Sequence, residues 1–289
     1  MKVAAIAHQA RRSESWAALE ARLDAAVAGA GADLVVLPEY AGLEAALVDA
    51  PAVLSPLEWR DRAAEHAPRW ADMMAGIAQG RGCHVLAGTI PWATDRGMTN
   101  RALLFAPTGE AAHQDKLILT PYERNPMRMT AGAGLRLIET TLGKLGILIC
   151  YDSEFPLLAR ALIEAGAEML LVPACTELPA GQTRVRQSCR ARAIEGQCLV
   201  VHAPLLGQVD GCDIIDRNTG RAGIFGPPDH GQPPSGIIAQ GGTDAEGPVT
   251  AEVDLAAITS PRRSGQVANF GHWPEQAAHV GVAEIQRLS

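Results

Sequence analysis

Gly31-Ala-Asp-Leu-Val-Val-Leu-Pro-Glu39, GADLVVLPE at 31–39, decides the fold, because its pattern returns as GAEMLLVPA at 166–174. Each stretch reads as a Gly-Ala helix end, an acidic residue, four aliphatic residues and a Pro that stops the run. Four apolar residues without alternation describe a strand buried on both faces, and such strands belong to parallel sheets. Working outward, each is preceded by an apolar-periodic helix. The first, about 13–29, carries Trp16, Leu19, Leu23 and Val27 at spacings of three and four, with Ser13 as its expected N-cap. The second, about 156–165, opens on Pro156 and carries Leu158, Leu162 and Ile163. Before each helix comes another aliphatic strand, KVAAIAH (2–8) and KLGILIC (144–150), so strand-helix-strand occurs twice, with His8 and Cys150 at equivalent ends.

Antiparallel signals fill the remainder. CHVLAGTIPW and TNRALLFAP flank an Asp95-Arg96-Gly97 turn, and CLVVHAP, CDIID, GIIAQ and VTAEVDL follow as further strands. The economical architecture is α/β: two pseudo-symmetric halves, each a mixed sheet faced by helices, packed sheet to sheet as a four-layer α-β-β-α sandwich. No linker interrupts residues 1–289, which read as a single domain. FGPPDHGQPPSG, 225–236, reads as a long loop between strands.

The chain has 289 residues, 47% of them hydrophobic, enough for a large core, and its net charge of −7 argues against nucleic-acid partners. Its opening residues lack the apolar core of a signal peptide, and no window is apolar for the eighteen or so residues of a membrane span. The expectation is a cytoplasmic protein without membrane contact. The six cysteines form no CxxC pair; Cys83 beside His84 and Cys198 near His202 read as core residues rather than metal ligands.

Ligand sites on α/β sheets gather at the carboxyl ends of parallel strands. Glu39 and Cys150 both fall there. A thiol needs a base or a cationic neighbour to become a nucleophile, and a carboxylate at a neighbouring strand end can be that base. A third group comes from AHQDKLILTPYER, 112–124, where Lys116 opens an apolar segment and Glu123 follows seven residues on. An ammonium aimed at a carbonyl oxygen would stabilise the oxyanion of a tetrahedral intermediate.

LPEY (37–40), DKLILTPYER (115–124) and GILICYDSEFP (146–156) resemble, in order and spacing, the three signatures of the nitrilase superfamily of carbon-nitrogen hydrolases. The similarity looks full length, extending to GAEMLLVPA, to RARAIEGQCLVV (190–201) and to the closing AEVDL. The resemblance implies an α-β-β-α sandwich with Glu39 as general base, Lys116 as oxyanion stabiliser and Cys150 as nucleophile. It implies that Glu123 positions Lys116 and the substrate or water, and that the Tyr151 backbone N–H is a second oxyanion donor. Metal-free, cofactor-free catalysis and a homodimer or larger assembly are implied too, with a small-molecule amide as substrate.

This chain departs from the pattern after the strand at 169–173, where many amidase members carry Asn-Pro and an aromatic residue. PACTELPAGQTRVRQ stands there instead, so Thr176, Glu177 and the 225–236 loop are expected to shape a different pocket. Cys175 reads either as packing or as a pocket-lining residue on the same sheet edge. Asp152 and Glu154 read as fixing the elbow behind Cys150 or capping the helix at Pro156; Arg184, Arg186, Arg190 and Arg192 lie on a helical stretch that could face the pocket or a dimer contact, a solvated or salt-bridged face being the ordinary reading. His202 is the one histidine that a Cys-His dyad would use, and a core histidine is its ordinary reading. Amide hydrolysis is thus the expected activity, with nitrile or N-carbamoyl hydrolysis as a rival and a non-catalytic binding protein as the reading from another class.

Overall fold

The computed structural model describes residues 1–281, 283 and 285–288. Strand β1 (Lys2–Gln9) leads through helix α1 (Trp16–Ala30) into β2 (Leu34–Val36), and β2 lies parallel to β1 with Val3 opposite Leu34. Leu19, Leu23 and Val27 of α1 are buried as their spacing demands, each contributing about 1.5–3 kcal/mol. Ser15, not Ser13, caps the helix: its hydroxyl accepts from Ala18 N–H, while Ser13 Oγ accepts from Arg22. Gly31, in the left-handed region at φ 51°, ends it.

The chain then forms α2 (Leu43–Leu47), α3 (Pro56–Arg81), β3 (His84–Thr94), β4 (Gly97–Phe105), β5 (Ala111–Asp115) and the short α4 (Pro121–Arg124). The second half repeats the plan with β6 (Ile138–Thr140), β7 (Gly143–Ile147), α5 (Pro156–Glu164), β8 (Met169–Ala174), α6 (Pro179–Gly196), β9 (Leu199–Leu206), β10 (Gly223–Phe225) and β11 (Ile237–Gln240). Finally β12 (Gly247–Glu252) returns to pair antiparallel with β1.

Two sheets result, β12-β1-β2-β3-β4-β5 and β6-β7-β8-β9-β10-β11, with the same succession of one antiparallel, two parallel and two antiparallel pairings. They join where the end of β1 meets the end of β9, His8 opposite Leu205. Alternation along the strands shows the layers. Ala4, Ile6, Val35 and Leu37 face α1 and α3, whereas Val3, Ala5, Leu34 and Val36 pack with Leu145, Ile147, Leu171 and Val200 of the other sheet. The expected α-β-β-α sandwich is what forms, and its superposable halves are visible in register: Val3 pairs with Leu34 as Leu145 pairs with Met169.

His8 and Cys150 consequently occupy matched strand ends but have opposite surroundings. His8 Nε2 lies 2.7 Å from Glu44 Oε2, and Glu44 Oε1 accepts from Arg22 Nη2 (2.9 Å) and Arg11 N–H (2.7 Å), an ionic cluster that seals the first half.

Two further expectations need correction. CDIID is not a strand: Asp213–Ile215 form a single 3-10 turn, because Ile214 and Ile215 are both buried and adjacent, which the alternating faces of a strand do not provide. The 225–236 loop shapes no part of the cavity described below. β10 runs antiparallel to β9, with Gly223 opposite His202 and Phe225 opposite Val200, so the loop leaves at the amino end of β9, away from the carboxyl ends where the site lies. There Ser235 O accepts from Arg190, and Asp229 accepts from Gln266 N–H. Among the described residues no helix is long and apolar enough to cross a membrane.

Candidate active site

Three of the candidate groups come from the first half and the thiol from the second. Glu39 sits in the turn that ends β2, a turn fixed by Tyr40, whose backbone takes φ 59° and whose N–H donates to Thr89 Oγ1 at 2.9 Å. The close approach of β3 requires Gly88: a Cβ there would stand 2.0 Å from the Pro38 carbonyl oxygen. Lys116 prolongs β5, its N–H donating to Asn100 O at 2.9 Å. Glu123 is the third residue of α4 and closes a capping box with Thr120, its Oε2 accepting from Thr120 N–H (2.9 Å) while also lying 2.8 Å from Lys116 Nζ.

Cys150 begins a 3-10 turn, Cys150–Glu154, just beyond β7, at φ 47°. That conformation is strained for a residue with a Cβ and persists only when its surroundings enforce it. Asp152 does so: its carboxylate accepts from Ile149 N–H (3.3 Å), Ile118 N–H (2.7 Å) and Leu117 N–H (3.2 Å), tying the elbow to the segment that carries Lys116. Burial raises Asp152 to about 6 against the opposing pull of Lys116 and these amides. Ser153 adds a bond to Cys150 O at 2.6 Å. Elbow fixing, as expected, is what Asp152 does, whereas Glu154 pairs with Arg184 at 3.2 Å.

The structure brings Glu39, Lys116, Glu123 and Cys150 together. Lys116 Nζ donates to Glu39 Oε1 at 2.7 Å and to Glu123 Oε1 at 2.9 Å, and all three are buried. Glu39 Oε2 accepts from Cys175 N–H at 2.9 Å, and Cys150 Sγ lies 3.5 Å from Cys175 O, so the end of β8 holds both the carboxylate and the thiol. Burial would lower the Lys116 pKa, but the charges of Glu123 and Glu39 more than reverse this and fix it as an ammonium. Burial likewise works against Glu123, yet the Lys116 charge, Thr120 and Tyr40 outweigh it and hold that carboxyl low. For Glu39, burial wins over Lys116 and raises the pKa. Burial and the nearby Glu39 charge push the Cys150 thiol well above its usual range. Such a set can move a proton from thiol to carboxylate as a bond to sulfur forms, while the ammonium faces new negative charge.

A cavity of about 680 Å³ opens over these groups, and Tyr151, Cys175, Thr176 and Glu177, the expected substrate contacts, all line it. Among the described residues no histidine lines it; His202 is buried in β9 and burial lowers its pKa to about 4, the state of a neutral core side chain. Of the four helix arginines, Arg184 lines the cavity; Arg186 reaches Gln240, Arg190 reaches Ser235 and Arg192 packs against Glu195.

Sequence reasoning missed Tyr40, Asn100 and Asn218. Tyr40 Oη donates to Glu123 Oε1 at 2.8 Å. Asn100 Nδ2 bridges the two carboxylates, donating to Glu39 Oε1 at 3.0 Å and Glu123 Oε1 at 3.1 Å, and its Oδ1 has no partner in the protein. An Asn in the middle of a strand is disfavoured, and that oddity in TNRALLF was the available signal.

The chain belongs to the carbon-nitrogen hydrolase family, whose sequence profile matches residues 2–263. It is 31% identical over 219 residues to the probable hydrolase YhcX of Bacillus subtilis (strain 168), covering 76% of this chain and 43% of that protein. It is also 31% identical over 144 residues to the deaminated glutathione amidase of Yersinia enterocolitica, covering 46% of this chain and 50% of the relative. The chain thus spans about half the length of these curated relatives. Its fold matches that of Nit3 from Saccharomyces cerevisiae, a member of branch 10 of the nitrilase superfamily. The TM-score is 0.72 at 22% identity, over 91% of this chain and 93% of Nit3.

Proposed function

We propose that this protein hydrolyses the C–N bond of a small amide through a thioester on Cys150. The observation that carries the reading is the convergence, at the floor of one cavity, of a thiol held at φ 47° with a buried carboxylate and a buried ammonium. Glu39 takes the thiol proton as sulfur attacks the carbonyl carbon. The oxyanion is met by Lys116 Nζ and by the Tyr151 N–H, which lies in the first turn after Cys150, where amides lack intrahelical partners. Glu39 returns the proton to the leaving nitrogen, the amine departs and the acyl group remains on sulfur. Water then gives a proton to Glu39 and attacks the thioester; the acid leaves and Cys150 regains its proton.

Glu123 keeps Lys116 charged through this cycle, since Glu39 loses its own charge on each proton transfer. The amidase name of the Yersinia relative supports an amide over a nitrile or a carbamoyl group. A panel of linear amides, nitriles and ureido acids, assayed for ammonia or amine release, tests it. Turnover confined to amides and abolished in Cys150→Ala is expected. Hydrolysis that survives Cys150→Ala, or a panel on which only nitriles or ureido acids react, would overturn it.

A further inference from the structure

The cavity wall carries more acid than this chemistry uses. Glu39 and Glu123 are engaged by Lys116, and Glu154 by Arg184. Glu177, Asp213 and Asp216 line the same cavity, are exposed at its mouth and take no part in that network. Tyr122 lines the cavity with them: burial raises its phenol pKa, and the charges of Asp213, Asp216 and Glu177 raise it further. A half-exposed aromatic ring among carboxylates is a setting that favours an organic cation.

A second, independent feature points to a ligand. Asn218 is only 8% exposed and is pinned by a two-bond bridge to Gly207, N–H to O at 2.7 Å and O from N–H at 3.0 Å. Asn218 lines the cavity; its Oδ1 accepts from the Cys175 thiol at 2.9 Å, while its buried Nδ2 has no partner in the protein. A rigid buried donor left open costs about 1–3 kcal/mol unless something else accepts from it.

We propose that the cavity selects amides bearing a cationic group, an alkylammonium or guanidinium, seated beside Tyr122 among Glu177, Asp213 and Asp216, with an oxygen of the same molecule accepting from Asn218 Nδ2. This rests on the amidase reading and adds its substrate class. Arg184 does not favour the opposite charge, because Glu154 neutralises it. Carboxylates lining a cleft concentrate cations there, and a net charge of −7 adds to the field.

Three primary amides of equal length, ending in an ammonium, a methyl group or a carboxylate, make the test. The readout is the ratio of kcat/KM for the ammonium-ended amide over the methyl-ended one, in the wild type and in Asp213→Asn/Asp216→Asn. The ratio exceeds one, falls about three- to tenfold in the double variant, and falls in the wild type when salt is raised to about 0.5 M. Calorimetric binding of the same amides to Cys150→Ala gives the same order, and adding Asn218→Leu weakens the binding. A ratio of one, preference for the carboxylate-ended amide, or a ratio unchanged in the double variant overturns the proposal, while Cys150-dependent turnover of the methyl-ended amide leaves the amidase reading standing. If no amide is turned over, the amidase reading falls, and calorimetry still decides the charge preference: an ammonium-ended amide bound no more tightly than the methyl-ended one refutes it.

Discussion

Replacing Asn100 with Leu, a side chain of similar shape, should separate the chemistry of the site from its stability. Asn100 Nδ2 donates to Glu39 and Glu123 at 3.0 and 3.1 Å. A hydrogen bond to a charged group is worth about 1.5–3 kcal/mol, and one N–H₂ shared by two carboxylates belongs at the lower end. Both bonds favour the ionised carboxylates, so their loss raises the apparent pKa of the coupled pair by about one unit, since 1.36 kcal/mol corresponds to one. Stability should change far less. The same substitution removes Oδ1, a buried acceptor without a partner, whose presence costs on the order of 1–3 kcal/mol. The assay is the pH profile of kcat/KM for a hydrolysed amide, alongside the pH profile of Cys150 alkylation by iodoacetamide and a denaturant titration. The acid limbs of both profiles should move up by about one pH unit, giving about tenfold loss on that limb, with stability within about 1 kcal/mol of wild type. Profiles that superimpose on the wild type would refute the reasoning and reduce Asn100 to packing.

Gly88→Ala should collapse activity, because a Cβ 2.0 Å from the Pro38 oxygen displaces the turn that carries Glu39; a kcat/KM within threefold of wild type would show that the turn has slack. Lys116→Met leaves Glu39 and Glu123 buried against each other and should cost about 3–5 kcal/mol in a urea titration, apart from its loss of rate; equal stability would mean that the carboxylates are not both charged. His202 is held neutral with a folded pKa of about 4, below its ordinary 6.5, so the unfolded chain takes up the proton first and stability is lost as pH falls from 6.5 toward 4. That interval is worth about 3 kcal/mol, and Asp152, raised to about 6, works in the opposite direction below that pH. The wild type should therefore lose about 3 kcal/mol more than His202→Gln between neutral pH and pH 4; parallel curves would exclude the titration.

The fold was legible where local pattern and tertiary environment agreed. The paired GADLVVLPE and GAEMLLVPA runs are apolar on both faces because each strand lies between a helix layer and the other sheet, and the register of β1 on β2 repeats in that of β7 on β8. Ser15 displaced Ser13 as N-cap, since it stands three residues before an unpartnered N–H. Glu39 and Cys150 could be anticipated because each ends a strand, and Lys116 because it opens an apolar segment with Glu123 seven residues on, positions visible in the chain. Tyr40, Asn100 and Asn218 could not be assigned roles in that way. Their significance comes from contacts across many residues of sequence, such as Asn100 to Glu39, and nothing local to TNRALLF names its partners. The acidic mouth was hidden for a related reason: Asp213 and Asp216 lie in a segment whose apolar pair mimics a strand.

The division of the site between the halves makes activity a gauge of docking. Glu39, Lys116 and Glu123 arrive from the amino-terminal sheet and its connections, Cys150 and Cys175 from the other, and bonds that close the set run between them, through Cys175 to Glu39 and Asp152 to Leu117 and Ile118. A partly unfolded molecule can keep both sheets and most of its helices yet hold no reactive centre once the sheets part. Loss of the proposed turnover should therefore precede loss of secondary structure on denaturation, and the site reports on the assembly of the two halves more sensitively than the backbone does.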